Sequence, residues 1–226
     1  MTPTTLRQAP QLAELEDPRL GRLPEFDAAS LNYPMRELVA QTKRLQTKRW
    51  KIRQRLNQGS KPHCATYSAV MEIGMQPYYH FITDYLADQM YKLAQDNDYW
   101  PGNNYAGTSV LAAMLICKWF GFIPEFRWAL KPNPIEDIQL TLANKGPVVV
   151  GTTWYQGMYV PDADGLVHPT GDAKGGHAYV LSEYDHQKKR VYSPNSWGDA
   201  GFWLSLNDLE KLIYEDGEAV VPVQRD

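Results

Sequence analysis

The stretch QGSKPHCATYSAV, residues 58–70, carries the strongest structural signal in the chain. From Cys64 onward, apolar side chains recur at helical spacing, so we predict a helix that begins at this residue. A cysteine in the first turn lies at the positive end of the helix dipole, where unpaired backbone N–H groups favour a thiolate. A thiolate is what a nucleophilic cysteine needs. A single buried cysteine is more often structural, but Gln58 and Gly59 upstream favour the nucleophile.

Outward from this helix, the first half of the chain reads as helical and the second half as strands. Ser109 suits the N-cap of a second helix, and the β-branched run at 146–154 predicts a buried strand. The remaining predicted elements are helices at 81–93, 109–119, 135–144 and 209–214, and strands at 177–183, 190–192 and 201–204. This order indicates an α+β protein with two lobes.

Two later motifs add a histidine and an asparagine. In GGHAYVL, residues 175–181, two glycines permit close backbone approach and a histidine then enters an apolar strand. In SPNSWG, residues 193–198, an asparagine at a strand end is able to orient an imidazole, and the following tryptophan to shield that bond. Taken separately, the first is typical of a core histidine and the second of a turn.

Together, the three motifs resemble the papain/cathepsin family of cysteine peptidases. That family has a Gln-Gly-Ser run whose glutamine stands six positions before the catalytic cysteine, as Gln58 stands before Cys64 here. A strand histidine followed by alanine comes later, and then Asn-Ser-Trp-Gly. The similarity spans residues 23–204.

The resemblance implies a role for each matching residue. Cys64 is the expected nucleophile, His177 the general base and acid, and Asn195 the residue that orients the imidazole. The side-chain amide of Gln58 and the backbone N–H of Cys64 are the expected oxyanion hole. The reaction expected is hydrolysis of a peptide bond through an acyl-enzyme.

The resemblance also implies a papain-like two-lobed fold, with a helical first lobe, an antiparallel β-barrel-like second lobe and the active site between them. Trp197 is expected to cover the bond between His177 and Asn195, and Gly107 to bind substrate backbone. The expected organisation is an extended arm over 1–22 and a peptidase domain over 23–226, with a helical lobe at about 58–130 and a β lobe at about 135–226.

Several departures from the family pattern suggest a pared-down member. Lys61 stands where the family has a disulfide cysteine, and Ala65 where it has a tryptophan. We therefore expect Cys64 and Cys117 to stay unpaired, as suits a reducing compartment. Such versions resemble bacterial or bacteriophage enzymes. Only about twenty residues precede the resemblance, too few for the usual inhibitory propeptide, so we expect residues 1–22 to cross the surface and to leave Cys64 reactive.

Composition excludes several other classes of function. The 226 residues carry a net charge of −3, which argues against a dedicated nucleic-acid binder. The longest apolar run, 110–117, is too short to cross a membrane, and the chain opens with no signal segment. No histidine or cysteine spacing suits a metal. We expect no cofactor and a cytoplasmic location, in a host cell or a virion if the chain is of phage origin.

Two alternatives stay open at this point. The same thiol chemistry serves an isopeptidase, an amidase or an acyl transferase, and a structural protein, such as a phage virion component, is able to retain the fold without activity. The expected partner is a protein or peptide substrate, with an assembly partner as a further possibility. The basic segment at 35–58 is either a solvated face or a docking patch for an acidic partner.

Overall fold

Six α-helices and eight β-strands lie within residues 9–39, 44–199 and 201–223, the parts of the chain that the computed structural model describes. The helices are α1 (Arg36–Val39), α2 (Cys64–Ile73), α3 (Asp84–Gln95), α4 (Val110–Trp119), α5 (Pro134–Asn144) and α6 (Leu206–Glu215). The strands are β1 (Lys48–Arg49), β2 (Glu125–Trp128), β3 (Val148–Tyr155), β4 (Ala173–Leu181), β5 (Glu183–Asp185), β6 (Arg190–Ser193), β7 (Phe202–Ser205) and β8 (Glu218–Val223).

Local sequence signals account for where the helices begin. The predicted helix at Cys64 is confirmed, and all ten of its residues are buried. Ser109 caps α4 as predicted, because its hydroxyl accepts a hydrogen bond from the Ala112 N–H at 2.9 Å. Ser205 caps α6 in the same way. These caps fix the ends of two helices that pack against the sheets.

Two antiparallel sheets of four strands each complete the fold. One has the strand order β2-β8-β3-β4 and the other β1-β5-β6-β7. In the first, His177 of β4 stands opposite Thr152 of β3. Strands β2 and β8 were not predicted, and they form the pair at one side of that sheet.

The core consists of two main buried clusters. One gathers around α2, α3 and α4, and the other lies between α5, α6 and the strands of both sheets. Each sheet takes one strand from before residue 130, because β1 pairs with β5 and β2 pairs with β8. The α+β architecture agrees with the prediction, while the proposed domain boundaries stay a prediction.

Most basic residues of the segment at 35–58 are exposed, and two of them also bind other parts of the chain. Arg49 pairs with Glu183, and Arg55 donates to the backbone carbonyl of Asp199 at 3.0 Å. Lys43 lies outside the described residues. Every helix in the described parts of the chain is too short or too polar to cross a membrane.

Candidate active site

Cys64 is the first residue of α2, and its thiol is completely buried. Burial raises the pKa of this thiol to about 11, although nearby backbone amides of Ala178, Gly21 and Ala65 act to lower it. Ala178 directly follows His177 on β4, so the strand backbone next to the predicted histidine lies against the thiol. With its site covered in this way, Cys64 is a protonated thiol at neutral pH.

His177 and Asn195 form the predicted pair. The imidazole Nε2 lies 2.9 Å from the Asn195 Oδ1, which also accepts the backbone N–H of Ser196 at 2.8 Å. Because this oxygen is an acceptor, Nε2 must be the nitrogen that carries the proton. Burial lowers the pKa of His177 to about 4, so the ring is neutral. Its Nδ1 is buried without a hydrogen-bond partner among the described residues and keeps a free lone pair.

Asn195 holds this position through an unusual backbone conformation. Its φ of 54° lies in the left-handed region, which asparagine tolerates better than most residues. Its backbone N–H donates to the Ser193 hydroxyl at 3.0 Å, which fixes the turn after β6. The sequence Ser-Pro-Asn-Ser therefore presents the asparagine amide to the ring.

Two tryptophan rings enclose the imidazole. Trp197, the residue expected to cover the His177–Asn195 bond, lies with its ring centroid 4.6 Å from that of His177. Trp154, on β3, contacts the same ring edge-on at 4.9 Å. The sequence analysis did not identify Trp154, because it looks like any other core residue of a buried strand. Only its contact with His177, which is distant in the sequence, sets it apart.

Gln58 is completely buried, and hydrogen bonds hold both ends of its side-chain amide. Its Oε1 accepts the Ser196 hydroxyl at 2.5 Å, and this fixes which side of the amide bears the hydrogens. The Nε2 then donates to the backbone carbonyls of Arg19 at 3.0 Å and Lys61 at 2.6 Å. The predicted oxyanion donor is therefore bound to a carbonyl oxygen that comes from the N-terminal arm.

A groove lies between Gly107 and Thr108 on one side and Gly176 of β4 on the other. Gly107 has a φ of 96°, and its N–H donates to the Tyr91 hydroxyl at 2.9 Å. The adjacent Thr108 N–H donates to the carbonyl of Gly21 at 2.9 Å. A Cβ at Gly107 would lie 2.2 Å from that carbonyl oxygen, so only glycine leaves room for a backbone at this place.

Residues 19–23, which we call the covering segment, run through this groove. The Arg22 N–H donates to the carbonyl of Gly176 at 2.9 Å, and the Leu23 N–H to that of Thr108 at 3.0 Å. The segment thus forms single bridges to both walls, at Gly176 and Thr108. Its amide at Gly21 lies against the Cys64 thiol.

Arg19 covers the other end of the groove. Its guanidinium stacks over the Trp197 ring at 4.0 Å, while its carbonyl occupies the Gln58 amide. The expectation that residues 1–22 leave the site free is therefore wrong for residues 19–22. Residues 1–8 lie outside the described part of the chain.

His63 and Cys117 have structural surroundings. His63 stacks on Tyr91 with ring centroids 3.6 Å apart, and its Nδ1 lies 2.8 Å from Asp88. Burial lowers the pKa of His63 despite this carboxylate. Cys117 is a buried thiol inside α4, and both it and Cys64 are free, in agreement with the sequence analysis.

Sequence comparison adds nothing to this picture, since no family model and no curated protein matches the chain. Solved structures do match. Xylellain, a cysteine protease from Xylella fastidiosa, aligns over 98% of this chain and 100% of its own, with a TM-score of 0.65 and 15% identity. A C39-like peptidase from Bacillus anthracis aligns over 79% of this chain and 100% of its own, with a TM-score of 0.53 and 18% identity.

Procathepsin L2 from larvae of Tenebrio molitor also matches. It covers 90% of this chain and 77% of its own, with a TM-score of 0.52 and 16% identity. These neighbours agree with the α+β architecture described above. The chain therefore has the fold of the papain-like cysteine proteases.

Proposed function

We propose that this protein is a cysteine peptidase that uses Cys64, His177 and Asn195. The observation that carries the proposal is the protonation of His177. Its Nε2 proton is donated to Asn195, so the free lone pair is on Nδ1, and the residue that follows His177 lies against the thiol. An imidazole in this tautomer is able to accept the thiol proton once opening of the site removes the burial that lowers its pKa and raises that of the thiol.

The chemistry follows from these positions. His177 takes the proton from Cys64, and the thiolate attacks the carbonyl carbon of the substrate. The oxygen gains negative charge, which the Gln58 amide and the Cys64 N–H stabilise. His177 then returns the proton to the leaving amine, which departs as the acyl-enzyme forms. Water, deprotonated by His177, releases the acid and restores the thiol.

The way in which Gln58 is held supports its role in this scheme. Ser196 fixes the amide so that its hydrogens point away from the Asn195 turn. A carbonyl oxygen already accepts from the amide nitrogen at 3.0 Å, and it belongs to Arg19. We infer that the Arg19 carbonyl stands in for the substrate oxygen.

We further propose that the described state is a latent form of the enzyme. The covering segment uses the backbone groups of Thr108 and Gly176 that an extended substrate would need. It also leaves Cys64 with no exposed surface. Peptide hydrolysis therefore requires that residues 19–23 leave the groove.

The test uses full-length protein in which the segment is weakened. Arg22→Ala removes the buried side chain that anchors it, and a peptide-library digest followed by mass spectrometry measures turnover. We expect cleavage by Arg22→Ala, none by Arg22→Ala with Cys64→Ala, and retained cleavage by Arg22→Ala with Cys117→Ala. The last variant is the matched control, because Cys117 is the other free thiol.

The proposal is contradicted if no peptide of the library is cleaved although Cys64 of Arg22→Ala reacts readily with a thiol-directed epoxide. The thiol would then be open and yet unable to cleave peptides. Such a result would favour a structural protein that retains the fold. Products in which the acyl group is joined to a new amine, instead of being released as a free acid, would indicate an acyl transferase.

A further inference from the structure

Arg22 inserts its side chain into a closed pocket of opposite charge. The side chain is 1% exposed and the Glu218 side chain 0%. Its Nε donates to the Glu218 Oε1 at 2.9 Å, Nη1 to the Asp216 Oδ2 at 3.2 Å, and Nη2 to the Asp216 carbonyl at 2.7 Å. Three nitrogens of one guanidinium are therefore each bound by a different acceptor.

The pocket belongs to the groove that contains the thiol. Arg22 directly follows Gly21, whose amide lies against Cys64. The walls include Gly151 of β3 and Val110 of α4. A Cβ at Gly151 would lie 2.7 Å from the Glu218 Oε1 and 3.0 Å from the Arg22 Nε, so a larger residue would close the pocket. The space is therefore shaped for a guanidinium.

Glu218 has no other ionic partner among the described residues. Its second carboxylate oxygen is buried without a hydrogen bond in the described part of the chain. Burial raises the pKa of Glu218 to about 7, even though Arg22 acts to lower it. A buried carboxylate is costly unless a cation pairs with it. Once the covering segment leaves, this carboxylate faces an empty site beside the reacting thiol.

We propose that Glu218 and Asp216 form a specificity pocket that selects an arginine side chain of the substrate, and that Arg22 is its internal occupant. This inference rests on the proposed peptidase function. Arginine is preferred over lysine, because the three acceptors match a planar fork, whereas an ammonium group is a single point charge.

A simpler role for the pocket is to latch the covering segment and nothing else. The two roles differ in what the open enzyme does. A latch alone gives an open enzyme that is indifferent to arginine in its substrate. A specificity pocket gives one that prefers arginine and loses this preference when Glu218 is neutralised.

The experiment uses full-length Arg22→Ala, in which the pocket is vacant. Fluorogenic peptides carry arginine or citrulline at each position in turn, since citrulline has the same shape without the charge. We expect kcat/KM to favour arginine at one position by about 10- to 100-fold, as expected for hydrogen bonds between charged groups. Glu218→Gln in this background should reduce the ratio to about 2-fold or less.

Two further variants serve as a second test and a control. Asp216→Asn should lower the ratio partly, and it carries little folding risk because its side chain is 41% exposed. Glu215→Gln is the matched control. The Glu215 carboxylate accepts a hydrogen bond from the Tyr155 hydroxyl rather than from Arg22. Its removal should therefore leave the ratio of kcat/KM for arginine and citrulline peptides unchanged.

The outcomes separate this inference from the proposed function. Cleavage with equal rates for arginine and citrulline peptides overturns the pocket and leaves the peptidase intact. If no peptide is cleaved, fluorescence anisotropy with the same peptides and the Arg22→Ala, Cys64→Ala protein decides. Tighter binding of arginine peptides that Glu218→Gln abolishes supports the pocket, and equal binding overturns it.

Discussion

Gly21→Ala is expected to open the groove without touching a catalytic side chain. A Cβ at this position would lie 2.0 Å from the Pro62 carbonyl oxygen and 2.7 Å from its Cα, both of them backbone atoms. Ordinary contact requires about 3.4 Å or more. Pro62 leads directly into α2, so the covering segment is the partner that must move, by more than about an ångström.

The size of the effect follows from the bonds that such a shift strains. Three backbone hydrogen bonds of 2.9, 2.9 and 3.0 Å hold Gly21, Arg22 and Leu23 in the groove. Each contributes about 1 kcal/mol. Loss of one to three of them costs about 1–3 kcal/mol, which raises the open population about 5- to 150-fold.

The assay is alkylation of Cys64 in full-length protein, followed by mass spectrometry of the peptide that contains it. The rate should rise in the same proportion as the open population while the closed state still dominates. Gly146→Ala is the matched control, because its Cβ would lie 3.7 Å from the Pro77 Cδ, an ordinary contact. Cys117 serves as an internal reference for global unfolding.

Equal alkylation rates for wild type and Gly21→Ala, with the same melting temperature, would refute the reasoning. In that case the segment either tolerates the methyl group or does not protect the thiol. A parallel increase at Cys117 would show that the whole fold is loosened, which also contradicts displacement of residues 19–23 alone.

Three other predictions concern single side chains. In the opened enzyme, Gln58→Ala should lower kcat about 100- to 1000-fold with a smaller change in KM, because the amide acts on developing charge; an effect confined to KM contradicts this role. Asn195→Ala should lower kcat/KM about 100-fold by freeing the His177 ring to turn, and unchanged kinetics would show that the tryptophan rings suffice to hold it. Burial raises the pKa of Glu72 well above 4.5, so the stability of the folded protein should fall as the pH rises above 4.5. The melting temperature of Glu72→Gln should lack this decline. A constant difference in melting temperature between the two proteins from pH 4.5 to 8 would contradict the prediction.

The sequence was sufficient for features encoded by neighbouring residues. The start of α2, the Ser109 cap and the turn at Asn195 each depend on short stretches whose backbone preferences are local. The candidate Cys64, His177, Asn195 and Gln58 came from motifs within such stretches. Their grouping in one site followed from the family resemblance. The structure pairs His177 with Asn195 and joins Gln58 to the neighbouring Ser196, while the site as a whole stays a prediction.

The features that were missed depend on distant pairs. Arg22 and Glu218 are separated by 196 positions, and nothing in either neighbourhood indicates the other. Strand β8 was missed because its apolar run contains Pro222, a residue that weakens a strand prediction. The covering segment has no periodicity of its own, since it is held by bridges to Thr108 and Gly176 and by Arg22.

The covering segment belongs to the same chain as the thiol that it protects, and this has a consequence for how the protein responds to its surroundings. Its docking is a unimolecular equilibrium, which dilution cannot shift. A tethered ligand acts as though present at about millimolar concentration. A free peptide at micromolar concentration therefore competes poorly with residues 19–23, and we expect the proposed activity to depend far more on the opening of the segment than on substrate supply.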